Sequence, residues 1–211
     1  MKDQTAFREE LKRAERMLAR RDPAMRLLIR KYGQCGISPH TRYFETLVES
    51  VISQQLSTKA AATIYRRFKE LYAPARFPRP AQIAATPDER LRGVGISMQK
   101  ASYIKDLAIK AEDGALKLSR LSRLPDQEAI DMLTQVKGIG VWTAHMFLIF
   151  SLGRLDILPV GDLGIRKAIQ LTYGLEAMPE APEMERLAVE RGWAPYRSVA
   201  SWYLWCRLDN K

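Results

Sequence analysis

Nowhere between turns does this chain alternate β-branched with polar residues, as a half-buried strand requires. Its apolar residues recur at three- and four-residue spacing, and Gly or Pro interrupts the pattern at short intervals. The clearest case is Phe44, Leu47, Val48, Val51 and Ile52, which together make one apolar face of a buried helix. This period predicts an all-α fold.

Start and stop signals divide the chain further. Phe7 to Ala19 reads as a helix, and Asp22-Pro23 caps a second that stops near Gly33. Thr58 opens another, with Ala61, Ile64, Tyr65 and Phe68 on one side, and a loop through Pro74, Pro78 and Pro80 follows. Thr86-Pro87-Asp88-Glu89 matches a capping box with Thr86 as cap. Ser97 caps a helix through Ala111 that stops at Gly114, and a helix starting near Asp126 precedes one from Val141 to Leu152. Asp162 heads a helix ending at Gly174, Pro182-Glu183 opens another, and Pro195 opens the last, through Trp202 and Trp205 to Leu208.

Charge narrows the partners. Thirty-four Lys and Arg against 24 Asp and Glu leave a net charge of +10, which points to a polyanion. Two cysteines, Cys35 and Cys206, are too few for a disulfide framework, a four-Cys zinc site or an iron–sulfur cluster, and fit a reducing interior. The opening Met-Lys-Asp-Gln leads into a charged helix pattern without the apolar core of a signal peptide. The longest apolar run, Met146 to Phe150, is too short to span a bilayer. The expectation is a protein of the cytoplasm or nucleoid, or of the nucleus in a eukaryote, with no membrane partner.

Lys137-Gly138-Ile139-Gly140 lies between two helices, and Arg92-Gly93-Val94-Gly95 echoes it earlier in the chain. A glycine pair spaced by one apolar residue lets two helices meet sharply, and the second helix then begins with unpaired amides at its positive end, a phosphate site to which Lys137 adds a cation. Taken alone, such a turn reads first as a plain helix–helix corner. It lacks the third glycine and the preceding strand of a dinucleotide fingerprint.

The continuation changes the reading. Lys137-Gly-Ile-Gly-Val-Trp-Thr-Ala runs into a buried helix, and Leu158-Pro-Val-Gly-Asp162-Leu-Gly-Ile-Arg166-Lys167 follows. With Ser53-Gln54-Gln55-Leu56-Ser57 before them and Trp193-Ala-Pro-Tyr-Arg197-Ser-Val-Ala-Ser-Trp-Tyr-Leu-Trp205 after them, these motifs resemble the helix-hairpin-helix DNA glycosylases, and within that family the 3-methyladenine DNA glycosylase II branch. The resemblance covers about residues 40–206. It implies one module over 1–211 with two helical lobes, one of about 42–155 holding the hairpin at 126–152 and one of 1–41 plus 156–211, with the active-site cleft between them.

The resemblance also assigns roles. Cleaving the bond between base and deoxyribose builds positive charge on the sugar, and Asp162 is implied as the carboxylate that stabilises it and positions water. From the residues alone Asp162 is equally a good N-cap, and a helix N-terminus favours a negative charge there, so the two readings are compatible. Two residues after the second hairpin glycine, bifunctional relatives carry a lysine that attacks the sugar. Here that residue is Trp142, which implies a monofunctional enzyme that leaves an abasic site. Trp142, Met146 one turn along and Trp205 are implied as the pocket for an electron-poor alkylated base, since aromatic faces attract cations. Tryptophans in an all-α protein also serve as core.

Leu56 is implied as the wedge that fills the gap left by the flipped nucleotide, with Gln55 probing the neighbouring pair. The plain alternative is that Leu56, four residues after Ile52, continues the apolar face of the preceding helix. Lys137, Gly138, Ile139 and Gly140 are implied to bind phosphate, and the backbone carbonyls of Thr134, Val136 and Ile139 to hold Na+ or K+. No other cofactor and no iron–sulfur cluster is expected. His40 and His145 are the two histidines, and His145, on a mostly apolar helix, reads as buried rather than as a ligand or general acid.

The implied activity is excision of 3-methyladenine, with 7-methylguanine and etheno-adenine, from double-stranded DNA by a monomer. The alternatives are a glycosylase of the same fold for another damaged or mismatched base, and a non-catalytic helix-hairpin-helix DNA-binding protein.

Overall fold

A computed structural model describes residues 4–209, and every regular element among them is helical. In chain order these are α1 (Gln4–Arg21), α2 (Pro23–Tyr32), α3 (Tyr43–Ser53), α4 (Thr58–Glu70), α5 (Pro80–Ala84), α6 (Asp88–Gly93) and α7 (Met98–Glu112). A 3-10 helix at Leu118–Arg123 precedes α8 (Asp126–Thr134), α9 (Val141–Phe150), α10 (Leu163–Tyr173), α11 (Ala181–Glu190) and α12 (Arg197–Asp209). The fold is all-α, as the apolar period predicts. Residues 1–3 of the charged lead-in lie outside the described range. No described helix is long and apolar enough to cross a membrane.

The chain divides into two compact units, residues 1–41 with 148–211 and residues 42–147, so the second crossing falls inside α9. In the first unit α1, α2, α10 and α12 pack around Leu11, Leu18, Met25, Ile165, Ile169, Val199 and Leu204. Asp22 is fully buried at the head of α2. Its Oδ1 accepts from Ala24 N at 2.9 Å and Met25 N at 3.4 Å, and its Oδ2 from Tyr173 Oη at 2.6 Å and Trp193 Nε1 at 2.9 Å. A buried carboxylate is tolerated only when satisfied in this way. The cap read from Asp22-Pro23 is therefore also the anchor that joins α2 to α10 and to the segment before α12.

In the second unit α3, α4, α5, α6 and α7 surround Val48, Val51, Ile52, Phe68, Ile83, Leu91, Ile104 and Leu107. Leu47, Val48, Val51 and Ile52 are all buried on α3, the face that their spacing predicts.

Four local expectations need correction. Thr86 caps nothing: it is buried, its hydroxyl donates to Gln82 O at 2.7 Å and meets Tyr72 Oη at 2.8 Å, and Pro87 stands at the cap of α6. Thr hydroxyls return readily to a carbonyl four residues back, and here the preceding α5 supplies one. Pro80 is not in the loop but at the first position of α5, where its missing N–H costs nothing. The helix expected over Val141 to Leu152 stops at Phe150, where the chain turns so that Arg154 N reaches Leu148 O at 2.9 Å. The last helix begins at Arg197, not Pro195, because Tyr196 N closes a tight turn onto Trp193 O at 2.7 Å and Ser198 N is taken by Leu155 O at 2.9 Å.

Candidate functional site

The turn between α8 and α9 is a tight corner. Val136 N donates to Leu133 O and Ile139 N to Val136 O, and the side chains of Val136 and Ile139 are buried as plugs. Its two glycines differ. Gly138 has φ +79°, and a Cβ there would lie 2.1 Å from the Tyr103 ring, so both conformation and space demand glycine. Gly140 has an ordinary φ, and a Cβ there would meet nothing within 4 Å, so the backbone beside the start of α9 is open to approach. The Lys137 side chain is exposed while its amide donates to Asp106 Oδ2 at 2.9 Å. The earlier echo is not equivalent: there Gly93 ends α6 and the second glycine, Gly95, takes the positive φ of +100°.

Asp106 is the side chain that braces this corner from α7. Burial pushes its pKa up, but hydrogen bonds from Lys110 and from the Lys137 amide outweigh that and hold the carboxyl below the usual range. Lys110 Nζ lies 2.5 Å from Asp106 Oδ1.

The loop after α3 carries Gln54, Gln55, Leu56 and Ser57. Helix α3 ends at Ser53, and Gln55 takes φ +56°, the one positive φ outside glycine among the described residues. Leu56 stands off the helix, 38% exposed, with its amide on Ser53 O at 3.2 Å, so it does not continue the buried face of α3. Ser57 then caps α4 through Ala60 N. Gln54 Nε2 donates to Gly138 O at 2.8 Å, which joins this loop to the α8–α9 corner.

On α9, Trp142 is 49% exposed and Met146 is half-buried one turn along, on the same side of the helix. His145 is half-buried, and burial lowers its pKa, in keeping with a neutral packed imidazole. Trp142 and Met146 belong to the unit of residues 42–147.

In the other unit Asp162 is 7% exposed and caps α10: its Oδ1 accepts from Ile165 N at 2.7 Å and from Trp205 Nε1 at 3.1 Å. The structure thus brings Asp162 and Trp205 together. The Trp205 ring lies 5.7 Å from that of Phe150, and the bare Gly164 leaves room beside both Asp162 and Trp205. The loop leading to Asp162 is fixed by the start of α12. Arg197 forks onto Asp156 at 2.8 and 2.9 Å, and Ser198 Oγ accepts from Ile157 N at 2.9 Å. The Arg197-Ser198 pair therefore holds the segment that delivers the carboxylate.

Chemistry not read from the sequence comes from α7 and α9. Lys100, Tyr103 and Asp106 lie on α7 against the corner and the Leu56 loop, and Phe150 backs Trp205. Their partners lie 31 to 55 residues away in the chain, beyond any local motif. Among the described residues no group of three or more His, Cys, Asp or Glu is placed to hold a metal. The corner offers neutral carbonyl oxygens, including Val136 O, a donor set that suits a hard cation.

Comparison with known proteins places this arrangement. The model of the HhH-GPD superfamily of base excision DNA repair proteins matches residues 48–195, and the chain belongs to that family. An alkylbase DNA glycosidase-like protein of Schizosaccharomyces pombe is 33% identical over 200 residues, 93% of each chain. DNA-3-methyladenine glycosylase 1 of the same yeast is 39% identical over 163 residues, 77% of this chain and 71% of its own. Among solved structures, the S. pombe 3-methyladenine DNA glycosylase in complex with abasic DNA superposes with a TM-score of 0.81 at 35% identity, over 92% of this chain and 95% of that one.

Proposed function

We propose that this protein is a monofunctional DNA glycosylase of the 3-methyladenine glycosylase II type. It hydrolyses the N-glycosidic bond of alkylated purines, 3-methyladenine with 7-methylguanine and etheno-adenine, in double-stranded DNA and leaves an abasic site. The observation that carries the reading is the buried Asp162 carboxylate at the head of α10, oriented by both the Ile165 amide and the Trp205 indole. Breaking the glycosidic bond leaves positive charge on the sugar, and a fixed, shielded carboxylate stabilises that charge at no cost of reorganisation. The superfamily and the names of the relatives support excision of alkylated bases.

In this reading Trp142, Met146 and Trp205 are the residues assigned to the damaged base, and Trp142 stands where a lyase has its lysine, so the sugar is attacked by water. Leu56 fills the vacated stack, with Gln55 against the neighbouring pair. Lys137, Gly138, Ile139 and Gly140 hold a backbone phosphate at the start of α9. The carbonyls of Thr134, Val136 and Ile139 would hold Na+ or K+, which would supply positive charge at the hairpin. The protein works on DNA as a monomer.

The test is Asp162→Asn. Asn is also a good helix cap and its Oδ1 can still accept from Ile165 N and Trp205 Nε1, so the protein should remain folded at the assay temperature by thermal melting, while release of 3-methyladenine under single-turnover conditions should fall about a hundredfold or more. Release at the wild-type rate would remove Asp162 from the reaction.

A further inference from the structure

The loop that carries Leu56 is clamped from α7 by a cation. A helix C-terminus leaves its last carbonyls without intrahelical partners, and chains commonly close this end with a glycine in the left-handed conformation. Helix α3 has no glycine there: Gln54 follows Ser53 in a turn with φ −51° and ψ 130°, and Gln55 adopts φ +56° with a full side chain. A conformation of that kind persists only where the surroundings hold it. Here the holding group is the half-buried ammonium of Lys100, which donates to Ile52 O at 2.8 Å and to Gln54 O at 2.5 Å. These acceptors are backbone carbonyls at the negative end of α3. Burial lowers the Lys100 pKa.

On its other side the same loop is tied by Gln54 Nε2 to Gly138 O, in the corner that Asp106 and Tyr103 brace. The turn is therefore fixed at both edges, and between those edges Leu56 is left projecting. A wedge must withstand the few kcal/mol with which a duplex resists losing a stacked nucleotide, and a loop that yields would give up part of what inserting the leucine gains.

We propose that Lys100 is a positioning residue for strand penetration: by holding the Ile52 and Gln54 carbonyls it fixes the turn that presents Leu56 to the duplex. The proposal rests on the reading of Leu56 as the wedge.

The test compares excision of 3-methyladenine from duplex and from single-stranded methylated DNA, because single strands need no wedge. Lys100→Met keeps the aliphatic stem and removes both hydrogen bonds. The expected result is a fall of at least about tenfold in the duplex-to-single-strand rate ratio, since even one of the two hydrogen bonds to a charged group is worth that much. Lys100→Arg, which keeps charge and donors, should restore most of the ratio, and Lys100→Met in a Leu56→Ala background should add little to the loss from Leu56→Ala alone. Thermal melting establishes that each variant is folded at the assay temperature, and Lys100→Gln, polar but shorter, repeats the comparison with a second side chain. Equal losses on both substrates, or losses that simply add to those of Leu56→Ala, would overturn the proposal and leave the wedge in place. A drop of about one in the slope of log affinity against log salt would also overturn it, since Lys100 would then be a phosphate contact. A Leu56→Ala protein with an unaltered ratio would remove the wedge reading itself, and the proposal with it.

Discussion

The indole nitrogen of Trp205, on α12, donates to Oδ1 of Asp162 at 3.1 Å, the oxygen that also caps α10. The tryptophan expected to stack on the damaged base is thus also a fixed donor to the carboxylate, and its two parts are separable. Trp205→Phe keeps an aromatic face against Phe150 and removes only the N–H. A hydrogen bond to a charged group is worth about 1.5–3 kcal/mol, so release of 3-methyladenine from a saturated complex should slow at least about tenfold while affinity for undamaged duplex is retained. Single-turnover release and a filter-binding titration check this; an unaltered rate would confine Trp205 to packing.

Leu56 should matter only where there is a stack to enter. Leu56→Ala removes most of an exposed side chain, so the folded protein should melt within about 0.5 kcal/mol of wild type. Excision from duplex should fall about tenfold more than excision from single strands, because extruding a paired nucleotide costs a few kcal/mol. Equal losses on the two substrates would mean that Leu56 does not act as a wedge.

The two corner glycines separate folding from recognition. Gly138→Ala forces an alanine into a left-handed φ against the Tyr103 ring, and should cost at least about 2 kcal/mol, roughly 4–8 °C in melting temperature for a chain of this size. Gly140→Ala meets no atom within 4 Å and should leave melting unaltered. Its methyl would nonetheless stand where a phosphate approaches the first turn of α9, so duplex affinity should drop at every salt concentration. Calorimetry beside a fluorescence-anisotropy titration distinguishes the two, and full affinity in Gly140→Ala would argue against a close phosphate there.

Trp142 at the lysine position predicts that borohydride traps no covalent complex with damaged DNA; a trapped band would reveal a lyase. Trp142 is half exposed on α9, and a cation held over an aromatic face gains about 0.5–2 kcal/mol. Trp142→Ala should therefore slow release of the positively charged 7-methylguanine several-fold more than release of neutral etheno-adenine. Equal effects on both bases would show that the ring contributes surface only.

Helices were legible because their signals are local. Asp22-Pro23, Ser97 and Asp162 each cap the helix that their position predicts, and Ser57, just before Thr58, caps α4. Thr86 was misread because a hydroxyl chooses between two backbone partners, and only the fold reveals that α5 ends within its reach. The apolar triplet Leu118, Leu121 and Leu124 has the three-residue period of the 3-10 helix found over Leu118–Arg123, a signal too short to stand out beforehand. Motifs gave Asp162 and the corner at 137–140, whose residue types follow from their chemistry. They did not give Lys100, Tyr103 or Asp106, whose chemistry is ordinary and whose importance comes from partners 31 to 48 residues away.

Asp106 makes the corner sensitive to acid in a predictable direction. Its folded-state pKa is lowered: burial acts against the charge, and the bonds from Lys110 and the Lys137 amide more than offset that. As pH falls, the unfolded chain takes up the proton first, near the ordinary aspartate value of about 4, while the folded chain resists until a lower pH. The contribution of Asp106 is thus fully present above about pH 5, declines through about pH 4, and is lost once pH passes below the folded value. Asp106→Asn removes the charge at every pH. Its melting temperature should lie below that of wild type at pH 7, and the two curves should converge on acidification. Because Asp106 holds the Lys137 amide, duplex affinity at pH 7 should fall as well, although the carboxylate itself repels DNA. Melting series from pH 7 to pH 3 with both proteins, beside binding titrations at pH 7, provide the measurement. A stability gap that widened toward pH 3, or an Asn variant that bound DNA more tightly, would show that Asp106 opposes the corner instead of bracing it.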